Sequence, residues 1–292
     1  MHTLPLLIAL LASPAQSACL PEDGDRASLE ALRADGFSLD DPATRTRWAL
    51  TLVPCLDAAD PGLRDDLALG ALTAWMRAGT LDLPTLRALR DAGFARIQHD
   101  DPDGFGRPFA ALMLAEISRT DRVSPWMSDD EREAMLQHAT DYMAGIRDYR
   151  GYDAAHGWRH GVAHGADWLM QLALNPALDD AQSRRILDAV ASQVVPPVQH
   201  AYVAGEYERL ARPVLYVAAR GNLDEDAWHA WLAALSAKVG DPAQAWRNED
   251  WIVRRHNLFA FLASIGAQLG TTTNPVYSGL HAATANTLKR LP

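Results

Sequence analysis

From Arg26 onward, apolar side chains recur three and four positions apart, and no stretch alternates apolar with polar residues as a half-buried strand would. That spacing matches the helical period, so the chain is restricted to helices that each bury an apolar stripe against another helix. Turn and cap signals cut the pattern into short pieces. The predicted helices cover residues 26–34, 42–56, 61–77, 83–92, 105–118, 128–149, 158–174, 179–195, 206–219, 224–239, 249–269 and 277–291. Asp35-Gly36, Ala78-Gly79 and Gly93 end three of them, Pro42 suits a first turn, and Ser128 with Glu131 has the spacing of a capping box. Pro213 must kink or restart the helix it interrupts.

About a dozen helices of roughly 10–20 residues with short loops, pairing with a period of about 40 residues, predict an all-α fold. The expected architecture is a helical-hairpin array of the HEAT or armadillo α-α superhelix kind. No clean internal repeat is visible, and no linker is long or polar enough to divide the chain. Residues 19–292 are therefore expected to form a single all-helical domain.

The first eighteen residues, MHTLPLLIALLASPAQSA, contain no Asp, Glu, Lys or Arg. The apolar run over residues 4–12 has the length of a signal-peptide core and is too short to span a bilayer. Ala15 and Ser17 satisfy the small-residue rule for cleavage after Ser17, although a basic leading segment is missing. Residues 1–18 are thus expected to be a cleaved leader, and the protein to be periplasmic or secreted. Cys19 and Cys55 are the two cysteines. In an oxidising compartment they can pair; otherwise they are two thiols, Cys55 packed on its helix, or Cys19 carries a lipid, against which Gln16 argues. A net charge of −10 with no basic run argues against nucleic acid as a partner. No segment is long and apolar enough to be transmembrane.

The least ordinary stretch is GYDAAHGWRHGVAHGADWLMQ, residues 151–171. On a helix over residues 158–174, a rotation of about 100° per residue places His160, His164, Asp167 and Gln171 in one stripe. Gly157, Gly161 and Gly165 fall in a second stripe beside it. Glycine within a helix costs about 1 kcal/mol relative to alanine. Either a neighbouring helix approaches closely or open space is kept for a ligand, and the residues fit both. His160 and His164, four apart, can chelate a divalent metal such as zinc, with Asp167 as a further ligand or as a hydrogen-bond partner. The same row can also serve as a metal-free binding or acid–base site, or as a polar helix–helix seam.

A second polar group is Glu206, Glu208, Arg209 and Arg212 in EYERLARP, where Glu208 and Arg212 have i,i+4 spacing and Glu208 or Arg209 could face the histidine row. Glu116 shares a stripe with Phe105, Phe109 and Leu112. Nine tryptophans suit seam packing, or a concave face that stacks on ligands. A Gly-rich phosphate loop, a GxSxG elbow, HExxH and CxxC are all missing from the sequence, which removes several common chemistries.

The string RGYDAAHGWRHGVAHGADWL resembles the signature of the bacterial domain-of-unknown-function family 2785. FGRPFAALMLAEI, ERLARPVLYV and RHNLFAFLASIGAQL resemble further segments of that family, in the same order, over most of the chain beyond the leader. Pro108 departs from the small polar residue expected after Arg107. The resemblance implies an all-helical, HEAT-like fold and brings no established activity with it. Together the candidate ligand-binding residues are His160, His164, Asp167, Trp158, Gly161, Arg209 and Arg107. The leading expectation is an exported α-solenoid that binds a protein or small-molecule partner around residues 157–171. The rival is a metal-dependent hydrolase, with His160, His164 and Asp167 at the metal and Glu208 or Glu116 as base. A third reading is a helical-toroid enzyme acting on glycans through two carboxylates across a Trp-lined cleft.

Overall fold

The computed structural model describes residues 19–291, and the expected leader lies outside the described residues. Helices dominate as expected: α1 Arg26–Ala34, α2 Pro42–Leu52, α3 Gly70–Ala78, α4 Leu83–Gln98, α5 Gly106–Val123 and α6 Asp129–Gly145. They continue with α7 Gly161–Ala173, α8 Asp180–Val194, α9 Glu206–Ala218, α10 Glu225–Ala237, α11 Glu249–Leu269 and α12 Ser278–Arg290. Local chemistry starts most of them. Asp25, Asp41, Asp82, Asp179, Asp224 and Asn248 each accept a backbone N–H of the first turn. Ser128 and Glu131 close a full capping box at α6.

The helices pack in alternation. α3, α5, α7, α9 and α11 each touch the next in one row, while α2 pairs with α4, α6 with α8, and α10 with α12 on the other side. The chain is thus an all-α helical array, and its odd-numbered row carries the candidate site. A continuous core of Leu, Ala, Met and Trp runs through it, with Trp168, Trp228 and Phe261 fully enclosed. Cys19 and Cys55 are joined in a disulfide. In the chain-entropy picture a loop of that size contributes about 3–4 kcal/mol.

Four departures from the sequence reading bear on the site. The segment expected as one helix over residues 61–77 begins instead as a π-helix, Gly62–Leu69, before α3. A stretch read as the end of a helix at residue 56 is a separate 3-10 turn, Val53–Asp57. Gly93 does not end α4, which continues to Gln98; a Cβ at Gly93 would lie 2.9 Å from Leu114, so this glycine lets α5 approach. Residues 152–158, partly expected as helix, form a hairpin of two short antiparallel strands, β1 Tyr152–Asp153 and β2 Gly157–Trp158. α9, by contrast, runs unbroken through the buried Pro213.

Candidate functional site

The hairpin is built by its own side chains. Asp153 Oδ1 accepts from the Ala155 and His156 amides at 3.0 and 2.7 Å, and Gly157 supplies the positive φ of 74° that the return strand needs. Arg159 pairs with Asp153 and donates to the Asp103 carbonyl at 2.7 Å, its guanidinium lying over the Phe105 ring. From the π-helix, Arg64 holds the hairpin to the array. Its side chain is fully buried, lies over the rings of Phe105 and Phe109, and donates to Asp65, to the Ala58 carbonyl at 2.8 Å and to the His156 carbonyl at 2.9 Å.

α7 therefore starts later than expected, at Gly161. His160 is its N-terminal flanking residue with a positive φ of 58°, not a member of a helical stripe. The two histidines still meet, ring centroids 6.0 Å apart. His160 stacks on Trp158 at 4.5 Å, and its Nε2 lies 3.0 Å from the Ala204 carbonyl. His164 is buried edge-on to Phe109, with Nδ1 3.2 Å from the Pro108 carbonyl. A carbonyl can only accept, so His160 carries its proton on Nε2 and His164 on Nδ1. Burial pushes the His164 pKa down to about 3 and lowers that of His160 as well, so both imidazoles are neutral at pH 7.

Asp167 faces α9, where Arg209 grips it through Nε at 2.9 Å and through Nη2, while Arg212 stands 3.8 Å away. The expected Glu208–Arg212 pair does not form. Gly161 and Gly165 admit Tyr142 of α6: a Cβ at Gly165 would lie 3.0 Å from that ring, and the Tyr142 hydroxyl donates to the Gly161 carbonyl at 3.3 Å. Close approach, not open space, explains these glycines.

These elements enclose a cleft of about 440 Å³. Leu69, Phe109 and Leu112 form an apolar floor, Trp158, His160 and His164 one side, and Glu208, Arg209 and Arg212 of α9 the other. Asp65 enters from the π-helix; burial raises its carboxyl above the usual range, against the pull of Arg64. Sequence reasoning missed Asp65 and Arg64. The available signal was Arg64 itself, a charge in i,i+4 and i,i+7 register with the apolar Ala68 and Ala71.

Three expected site residues stand elsewhere. Glu116 is held by Arg77, with Nε at 2.9 Å, and does not reach the cleft. Arg107 donates its amide to Asp101 at 2.8 Å and lines a separate 60 Å³ hollow with Tyr142 and Asp148. Gly161 packs beneath Tyr142. His160 and His164 each turn one ring nitrogen to a carbonyl, and the Asp167 carboxylate is taken by Arg209. Among the described residues no three His, Cys, Asp or Glu side chains are grouped to hold a metal ion.

The sequence model of a family described as protein of unknown function, DUF2785, matches residues 94–266, from α4 to α11. The chain belongs to that family. The DUF2785 segment contains the hairpin, both histidines, Asp167 and the α9 residues, and leaves the Arg64–Asp65 wall to the preceding part of the chain. No curated protein and no solved structure matches the chain.

Proposed function

We propose that this is an exported binding protein whose cleft between the hairpin, α7 and α9 takes a small polar ligand. The observation that carries this reading is the cleft's unmatched polar rim. Glu208 is exposed and has no ion-pair partner among the described residues, and Arg212 has only Asp167 at 3.8 Å, already bound by Arg209. Below that rim lies the apolar floor of Leu69, Phe109 and Leu112. A few fixed polar groups over an apolar surface are the ordinary composition of a small-molecule site. The Cys19–Cys55 disulfide and the leader-like residues 1–18 support export, because disulfides persist in oxidising compartments.

The test is a thermal-shift screen of polar metabolites on the chain from residue 19, beside a Glu208→Gln, Arg212→Gln double variant. A compound that raises the wild-type midpoint by several degrees and leaves the variant unmoved supports the cleft. A compound that shifts both equally places binding elsewhere and sinks this reading.

A further inference from the structure

Beside the cleft lies a second pocket of about 400 Å³ that shares only Trp158 and Ala204 with it. Two aromatic pairs wall it. Tyr149 stacks on His200 with centroids 5.1 Å apart, and Tyr152 tilts against Trp158 at 5.0 Å. The rings are fixed from behind. The Tyr149 hydroxyl bonds Gln193 Oε1 at 3.0 Å, and Trp158 rests on His160.

Glu206, the first residue of α9, completes the lining and is only 4% exposed. Its Oε2 accepts the Ala204 amide at 2.9 Å, and its Oε1 lies 3.9 Å from His160 Nε2, whose own hydrogen bond goes to the Ala204 carbonyl. No arginine or lysine pairs with it among the described residues. Burial lowers the pKa values of both His160 and His200, so neither supplies a positive charge at pH 7. A buried carboxylate without a counter-charge is costly, and every other polar group here is neutral. The bare backbone of Gly151 keeps the approach to it open: a Cβ there would lie 3.1 Å from Ala204 Cβ and 3.7 Å from Glu206 Oε1.

We propose that this pocket binds an organic cation, a trimethylated ammonium group, between the Tyr149/His200 and Tyr152/Trp158 walls, with Glu206 as its counter-charge. Aromatic faces attract cations through the ring quadrupole, and a methylated ammonium needs no ring of hydrogen-bond acceptors, which this lining does not offer. The proposal goes beyond the cleft reading, since it uses none of Glu208, Arg209 or Arg212.

Calorimetric titration of the chain from residue 19 with choline and with its uncharged isostere 3,3-dimethylbutanol tests it. Choline is expected to bind saturably and the isostere at least about tenfold more weakly. Glu206→Gln is expected to weaken choline by about tenfold or more, and Tyr152→Ala, at a side chain 61% exposed and safe to truncate, by several-fold. The Glu208→Gln, Arg212→Gln variant keeps full choline affinity, which separates this pocket from the cleft. Phosphatidylcholine vesicles form a second arm: co-sedimentation that choline displaces identifies a lipid headgroup, and choline binding without co-sedimentation identifies a free solute. Equal affinity for the isostere, or no saturable choline binding up to about 50 mM, would overturn the proposal. So would full affinity in Glu206→Gln or, should that variant not fold, in Tyr152→Ala.

Discussion

Two buried carboxylates stand at different places in the array and are treated in opposite ways. Asp121, near the end of α5, is 1% exposed and receives Arg132 through Nε at 2.8 Å and Nη2 at 3.2 Å. It also receives the Trp126 amide at 2.9 Å, the Met127 amide at 2.7 Å and Asn175 Nδ2 at 2.9 Å. Glu206 has one backbone amide and a distant neutral imidazole. The first group is complete and ties the α5–α6 turn to the end of α7. The second has no arginine or lysine partner among the described residues and borders an aromatic pocket. Burial alone does not mark a functional acid; what matters is whether the protein itself has satisfied it.

The largest effect that could break this contrast is on stability. Asp121→Ala takes the acceptor from Asn175 and from the Trp126 and Met127 amides, leaves Arg132 only Asp129, and is expected to cost about 3–5 kcal/mol in urea denaturation. Burial pushes the Asp121 carboxyl up, but Arg132, the two amides and Asn175 together hold it below its usual value of 3.8. Its contribution is therefore present above the unfolded value and is lost as pH falls through the lower folded one.

An intermediate effect separates the two regions by pH. His164 has a folded pKa of about 3 against an ordinary 6.5, so between those values the unfolded chain binds more protons. Stability should fall as pH drops through that window, by at most about 1.4 kcal/mol per pH unit. His164→Gln should flatten the slope between pH 6 and pH 4 in chemical-denaturation series, leaving the more acidic Asp121 transition in place. An unchanged slope would mean that His164 is not buried in its neutral form.

The smallest effect is expected at Glu206. Glu206→Ala removes one hydrogen bond and strands no cation, so the loss should be about 1–2 kcal/mol by the same denaturation measurement. A cost equal to that of Asp121→Ala would show that Glu206 is a structural anchor after all, and the contrast would collapse.

The helices were legible where their signals are local. Asp224, Asn248 and the Ser128–Glu131 pair open their helices within three residues of chain, so sequence alone places them. The hairpin was not, because part of what holds it is Arg64, more than ninety positions upstream, and two-residue strands carry no periodicity. The π-helix was hidden for a related reason: its apolar spacing passes for α, and only the backbone bonds differ. At the site, His160 and His164 both line the cleft, but His160 stands before α7 and not on its stripe. Glu116 was drawn in by a shared stripe, which reports a helix face and not the partner that face meets. Glu206 was named with the EYERLARP polar group but not among the candidate site residues, since a glutamate at a helix start is so ordinary.

Arg64 also bears on how this protein can be dissected. A piece trimmed to residues 94–266 would retain the family's sequence signature yet lose the guanidinium between Phe105 and Phe109. Two ring faces and the His156 carbonyl would open to water, and one wall of the cleft would go with them. Expression pieces, fusion boundaries and transplanted sites should therefore begin upstream of the π-helix, because the portable unit is larger than the recognisable one.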